Sequence, residues 1–464
     1  MKKKFLITVF SAFVFITTHA QFYDTLVMDE TKFLNQVFNY APTLENAAFK
    51  VAIQQQEIRS AKGVFEPKLI GRYRLKDYEN QSYFNKQLTG INIATPLGVK
   101  FEVGLQDNQG LFLNPENTVP SSGLVYTGIE LPLGARMFTD EDRTYIKQQR
   151  LKNDVATSAQ NLTINDYLLD AGEQYWDLFE SIKLMDVSRE ALTIARQRFD
   201  FIVSQNRLGY AASIDTLEAK INVQYRLALN TSNFIRYQKM SFAINNFLWL
   251  PNRDQLFIVP NVDMDYMAVF PDSLLKKDLV RTHPLVLILD TDSMINQTNL
   301  ALNREFYKPE LDLSLRLQEN AKYLEEYDFD INTNHYVGLN LKMPLLLRKQ
   351  RAKSNQFEFE KSIISNKKRE TLVKIENAQR TLYLNTENLR TNVIIWQKAV
   401  QNYRTLVRAE QTKFEKGESS LFLVNNRELR WIDAREKYIK NYVKYRKSIL
   451  NYYHTLAMLP QLLD

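Results

Sequence analysis

No proline occurs between Pro132 and Pro251, and none between Pro344 and Pro460. After Gly134, only Gly172 and Gly209 interrupt the first run with glycine, and only Gly417 interrupts the second. Proline removes a helix donor and clashes with the preceding turn, and glycine weakens a helix through its backbone entropy. A chain that avoids both over more than a hundred residues is built for helices far longer than the ordinary dozen or so residues. Each run keeps one clear breaker: Gly209 in RLGYAASIDTLEAK and Gly417 in KGESSLFLVNNRE. Each therefore reads as a long helix, a tight reversal and a return helix. Glycine at the reversal can take the left-handed conformation that ends a helix. Ser213 is the expected N-cap of the first return helix, with Asp215 in its electropositive first turn.

The apolar pattern agrees. Ile164, Leu168, Ala171, Tyr175, Leu178, Ile182 and Met185 follow a 4,3 spacing, the seam of a coiled coil. Leu389, Val393, Trp396, Val400, Tyr403 and Val407 repeat it, and the return helix after Gly417 carries Trp431, Tyr438, Tyr442, Tyr445, Ile449, Tyr452 and Leu456. These aromatic stripes read as packing. The long helices are expected from the acidic start 139–142 to 208 and from 348 to 416, and the return helices over 214–250 and 420–459.

Before each long helix the period changes. Thr43 is the expected N-cap of a helix over 44–64. Leu69, Gly71, Tyr73 and Leu75 then alternate with polar residues, as a half-buried strand does. A polar loop is expected over 77–86, two strands over 87–95 and 99–106, a loop over 107–122 and a strand over 124–133. In the second half a helix over 284–307 leads to strands over 311–317 and 336–343, separated by a polar acidic loop. Pro42 and Pro67 stand at the same separation as Pro284 and Pro309, so the chain reads as a duplication. The expected organisation is a leader over 1–20, a first repeat over 21–251 and a connector over 252–283. A second repeat fills 284–464. In the first repeat the strands span about 67–133 and the helical hairpin 139–250; in the second they span 309–344 and 348–459. The first half has about thirty extra residues among its strands. By length, the return helix 214–250 is expected to stack end to end with 284–307, and 420–459 with 44–64.

Lys2, Lys3 and Lys4, a short apolar stretch over 5–16 and Thr18-His19-Ala20 read as a secretory signal cleaved before Gln21. Its loss takes the formal net charge from +7 to +4, too weak and dispersed to imply nucleic acid. The chain has no cysteine, hence no disulfide and no lipidated cysteine. It also lacks the roughly twenty consecutive apolar residues of a spanning helix. An exported chain of this kind is periplasmic, secreted or an outer-membrane β-barrel. Beyond the leader, His283, His335 and His454 stand far apart, and no G-x-S-x-G, phosphate-binding glycine loop or H-E-x-x-H occurs. Neither an enzyme nor a cofactor or metal site is expected.

From about Leu44 to Pro460 the chain resembles the TolC family of outer-membrane efflux and secretion channels. The resemblance rests on the duplicated helix–strand–strand–helix unit, the leader and the tip motifs, with Gly209 followed six residues on by Asp215 and Gly417 opening GESSLFLVN. It implies a mainly α fold with a β-barrel part: a homotrimer whose chains share one β-barrel in outer-membrane lipid and one periplasmic helical tunnel. The implied partners are a periplasmic adaptor and, through it, an inner-membrane pump. The implied function is passive export in a tripartite efflux pump or a type I secretion system. The tips Gly209, Tyr210, Ala211, Ala212, Ser213 and Gly417, Glu418, Ser419, Ser420 would dock the adaptor. Asp215, Glu218, Leu423 and Asn426 would line the aperture. In the family the two second-half positions are acidic; here Leu423 and Asn426 point to a partly apolar constriction. The rival reading is a soluble periplasmic coiled-coil scaffold or adaptor, which leaves the matching strands of the two halves unexplained.

Overall fold

The computed structural model describes residues 25–249, 257–265, 267, 277–323 and 331–463. The proposed leader and nearly half of the connector lie outside them. Strand β1 (Thr25–Met28) is followed by helices α1 (Glu30–Tyr40) and α2 (Pro42–Lys62), then strands β2 (Lys68–Tyr78), β3 (Gln81–Ala94), β4 (Lys100–Gln109) and β5 (Leu124–Pro132). The long helix α3 (Glu141–Arg207) and its return helix α4 (Ser213–Ala243) complete the first half. After β6 (Phe257–Pro260) and the short α5 (Lys277–Arg281), the second half runs α6 (Pro284–Glu305), β7 (Glu310–Asn320), β8 (His335–Lys342), α7 (Arg348–Glu415) and α8 (Leu421–Thr455). At 1.5 Å per residue α3 and α7 are each about 100 Å long. Among the described residues no helix is long and apolar enough to cross a membrane.

Local chemistry sets the boundaries. Asp140 caps α3 by accepting from the Arg143 amide at 2.7 Å, and the Arg143 guanidinium returns to Asp140 at 2.8 Å and to the Arg136 carbonyl at 2.6 Å. One expected cap is corrected here, and the cap of α6 is one that the sequence did not announce. Helix α2 begins at Pro42 with Ala41 as N-cap, so Thr43 lies inside it; proline's fixed φ suits the first helical position. His283 caps α6, its Nδ1 accepting from the Leu285 amide at 3.2 Å.

The six long strands form one antiparallel sheet in the order β2-β3-β4-β5-β7-β8. The extra first-half residues are thus two further strands in the middle of the sheet. The expected polar loop over 77–86 is a two-residue reversal at Glu79 and Asn80, both at positive φ, between strands that continue on either side. Hydropathy hid this, because Asn85, Lys86 and Gln87 are polar on both faces of β3. Register places Leu69, Ile91, Val103, Thr127, Leu317 and their alternate neighbours on one face. Leu311, Leu313 and Leu315 of β7 continue it onto Leu341, Leu339 and Val337 of β8. The face is mostly apolar: Thr127 of β5 and Thr89, Gln87 and Asn85 of β3 interrupt it, and Asp107, Gln109, Glu319 and His335 share it toward the strand ends. On the opposite, polar face the Tyr126 ring lies across β4 toward β3: a Cβ on Gly104 would meet its hydroxyl at 2.6 Å, and one on Gly90 at 3.2 Å. Those two glycines let the ring tie the added strands to the rest.

The helices form a wall of four columns. Along α3, the Tyr167 ring meets Phe247 just past α4 at 5.4 Å, and Gln149 accepts from Gln54 of α2 at 2.9 Å, so α4 and α2 share one column. On its other side α3 meets α8 through His454–Asp166 (2.7 Å) and α6 through Gln148–Asn299 (2.7 Å). Leu456, Met458, Pro284 and Leu287 line one cavity where the end of α8 meets the start of α6. Helix α7 flanks that column through Asn296–Phe357 and Thr386–Ser448. The expected stacking is therefore exchanged: α4 stacks on α2 and α8 on α6. Helices α2 and α6 have 21 and 22 residues, so length could not choose between them.

The outer columns are open. Helices α3 and α7 are nearly equal in length, yet α3 has 21 buried residues and α7 has 5. At mid-height α1 and the parallel pair β1–β6 close a belt over the main core, which contains Phe33, Tyr175, Trp176, Phe179, Tyr442 and Tyr445. The mixed composition of 22–40 concealed these elements.

Candidate gate at the helix tips

Both long helices end in the same way. Gly209 has φ +82° and Gly417 φ +77°. The Gly209 amide bonds to Asn206 O and that of Tyr210 to Gln205 O; the Gly417 amide bonds to Phe414 O and that of Glu418 to Lys413 O. This is the paired 5→2 and 6→1 pattern of a Schellman ending. A Cβ on either glycine would meet nothing within 4 Å, so backbone conformation alone requires glycine there.

The return helices start differently. Ser420 caps α8 through a 3.4 Å bond from the Leu423 amide. Ser213 does not cap α4: the N-cap is Ala212, which has no acceptor, and Ser213 is the first helical residue. The Asp215 carboxylate supplies the missing contact by accepting from the Ala212 amide at 3.2 Å. Tyr210 is 81% exposed, whereas Ala211 packs on a small core of Ile202, Ala219 and Leu421. Ser419 donates to Glu410 at 2.6 Å, and this bond, aided by Arg427, holds the Glu410 carboxyl below its ordinary pKa.

Behind the tips lies a buried polar cluster. Arg198 of α3 forms an ion pair with Glu428 of α8, and its Nη1 reaches Asn425 at 2.9 Å. Gln411 of α7 donates to Glu428 at 3.2 Å, and Asn425 donates to Glu218 of α4 at 3.2 Å. Arg226 of α4 is 5% exposed, and desolvation lowers its pKa against the pull of nearby Glu428 and Glu436. All four columns of the wall meet in this cluster.

Of the four expected aperture residues, Glu218 and Asn426 line one groove of ≈360 Å³ between α4 and α8, with Arg226, Asn425 and Phe422. Asp215 is engaged in capping, and Leu423, 41% exposed, lies outside that groove. Arg198 and Glu428 were missed from sequence. Their signal was a charge on an apolar stripe: Glu428 falls between Val424 and Ile432, and Arg198 between Ala195 and Ile202, all four neighbours being buried.

A wall of long helices with duplicated hairpins, a mid-height belt and a sheet at one end is the architecture of TolC-like outer-membrane channels. The outer membrane protein VceC of Vibrio cholerae superposes with a TM-score of 0.67 at 12% identity, over 92% of this chain and 96% of its own. The open state of the MtrE outer membrane channel of Neisseria gonorrhoeae gives 0.66 at 10% identity, over 92% and 88%. The CmeC outer membrane channel of Campylobacter jejuni gives 0.64 at 12% identity, over 92% and 85%. No protein-family model and no curated protein sequence matches the chain. The likeness is one of fold.

Proposed function

We propose that the protein is an exported outer-membrane channel-tunnel that works as a homotrimer and passes substrates outward without chemistry. One observation carries this reading. Column α4/α2 runs directly into edge strand β2, and edge strand β8 runs directly into the outer column α7. The open edges of wall and sheet therefore lie on the same two flanks. Further copies of the chain close both at once, pairing β8 of one copy with β2 of the next and covering the exposed Phe359 and Ile363 of α7 and Ile221 and Phe234 of α4. A closed barrel is also the only form in which such a sheet can sit in lipid with its backbone satisfied. Its apolar band, Leu311 to Leu317 on β7, is about 20 Å tall at about 3.4 Å per residue, close to a tilted barrel's lipid-facing height.

In this reading residues 1–20 are a cleaved signal, and the chain is two repeats joined by the connector 252–283. The glycine-ended tips dock a periplasmic adaptor that links to an inner-membrane pump, in efflux or type I secretion. Asp215, Glu218, Leu423 and Asn426 line the narrow end, and the Arg198–Glu428 cluster holds it shut. A soluble scaffold would leave the apolar sheet face in water. Native mass measurement in mild detergent, on protein recovered from carbonate-washed outer membranes, tests the proposal. A trimer retained in the membrane is expected; a stable monomer, or release by carbonate, sinks it.

A further inference from the structure

The polar face of the sheet is unevenly charged. Its four carboxylates are all engaged: Glu102 by Arg316, Glu130 by Lys100 at 2.8 Å, and Glu310 and Asp312 by Arg136 at 3.3 Å each. All of these pairs lie on β4, β5 and β7 or at their ends. Strands β2 and β3 are different. Lys68, Arg72, Arg74 and Lys76 alternate along β2 on the polar face, and Lys86 stands beside Arg74 on β3. None of the five has a carboxylate partner among the described residues. Lys76 and Lys86 instead lie over the Tyr83 and Phe84 rings at 4.8 and 5.0 Å.

We infer that the barrel lumen is anion-selective and that the cations of β2 and β3 set the preference, so that the solutes favoured at the exit carry negative charge. The inference rests on the channel reading above, which turns the apolar face to lipid and the polar face inward. Alternation then points every one of these cations at the lumen. Among the described residues, the acids of this face are held by other bases, two or more strands from β2 and no nearer than the neighbouring strand to Lys86. Three chains would bring three such arcs around one water-filled bore with low-dielectric walls, which focus the field of fixed charges. Each kT of positive potential enriches anions roughly threefold over the bulk.

The test is the reversal potential of the purified full-length protein in planar bilayers under a potassium chloride gradient. It is repeated in an Arg198→Ala background, so that the narrow tip does not mask the barrel. The expected sign is that of chloride preference. The triple substitution Arg72→Gln, Arg74→Gln and Lys76→Gln should lower the chloride-to-potassium ratio roughly threefold, a shift of about one kT. Arg72→Glu with Arg74→Glu should reverse the sign; if that charge reversal blocks folding, the neutral triple variant still decides. Conductance without anion preference overturns the inference and leaves the channel reading standing. Anion preference unmoved in the triple variant also overturns it, since the selectivity then lies elsewhere. Absence of any conductance overturns the channel reading and the inference together.

Discussion

The belt and the tips are built on the same two helices, α3 and α8, yet they are held by different physics. At the belt, Trp176 of α3 packs within 5.5 Å of Tyr175 and Phe179 and 6.0 Å of Tyr442 on α8. Its indole donates to Glu30 at 2.7 Å while Arg446 stacks on its face at 4.7 Å and pairs with Glu30 at 2.5 Å. Here the polar groups ride on a large aromatic core. About twenty residues further along α3 the core has shrunk to Ile202, Ala219 and Leu421, and the contact with α8 is the Arg198–Glu428 pair. Apolar burial is non-directional and tolerates small shifts. A buried ion pair depends on geometry and strongly penalises the loss of one partner. One seam therefore changes along its length from a joint held by apolar burial to one held by the geometry of an ion pair.

The largest expected effect tests the fixed side. Trp176→Ala empties the centre of the belt and should cost about 3–5 kcal/mol, read as a fall in thermal midpoint in detergent. Tyr210→Ala, at the exposed tip, should stay within about 0.5 kcal/mol of the parent. Equal losses would erase the distinction between the two regions.

Acid should also act at the belt end. Burial pushes the His283 pKa down to about 4, with His454 adding to the effect. The unfolded chain, with an ordinary histidine near 6.5, binds the proton first as pH falls. The contribution of neutral His283 is full above about pH 6.5 and is lost as pH drops toward 4, about 3 kcal/mol in all. His283→Asn keeps a capping acceptor and removes the titration. Denaturant midpoints at pH 7 and pH 4.5 should converge for that variant; an unchanged pH dependence would place the acid sensitivity elsewhere.

The helical half of this molecule was legible because its signals are long. Proline-free runs, 4,3 seams and the two reversal glycines put the ends of α3 and α7 within a residue or two. Short elements were not. Strand β1 pairs with β6 more than two hundred residues away, a contact no local pattern announces. Strands β2 and β3 continue through Asp77 and Asn85 because neighbouring strands satisfy their backbones, whatever their side chains. The stacking order was undecidable from length. Within the tips the glycines were readable from φ preference. The Ser213 assignment failed because Asp215 can cap from inside the helix as well as a serine can from its start. The Arg198–Glu428 pair needed two helices brought together in space.

On the ion-paired side, Arg198→Ala should leave Glu428 with Gln411 and the more distant Arg226. Removing one partner of a buried ion pair costs about 3–5 kcal/mol locally where nothing replaces it, and here the Gln411 amide remains to offset part of that. If the belt carries the fold, the thermal midpoint should move little, and the cost should appear as higher single-channel conductance and faster amide exchange confined to the ends of α3 and α8. Arg198→Lys should restore only part of the closed state, since a lysine cannot serve Glu428 and Asn425 with one planar fork. A midpoint fall as large as that of Trp176→Ala would show that the tip is part of the fixed structure.

The smallest change is chemical and concerns what the narrow end presents to a solute. Leu423 and Asn426 are three residues apart on α8 and share a helical face. Asn426 lines the same groove as Glu218, while Leu423 is exposed one turn nearer the tip. An apolar residue in a narrow bore resists passage by dewetting, and a ring of carboxylates instead binds cations. Leu423→Asp replaces one with the other at an exposed site in the first turn of α8, where a carboxylate suits the helix dipole and costs little stability. It should leave the thermal midpoint and the trimer unchanged. Conductance should move toward cations, and micromolar-to-millimolar divalent ions, spanning the range of weak carboxylate sites, should now block it. Gly417→Pro tests the same end through the backbone, because proline cannot adopt φ +77°, and should abolish export without dissociating the barrel. If Leu423→Asp leaves conductance, selectivity and divalent block as they were, Leu423 does not line the constriction. The gate then reduces to the groove of Glu218 and Asn426 and the ion pair behind it.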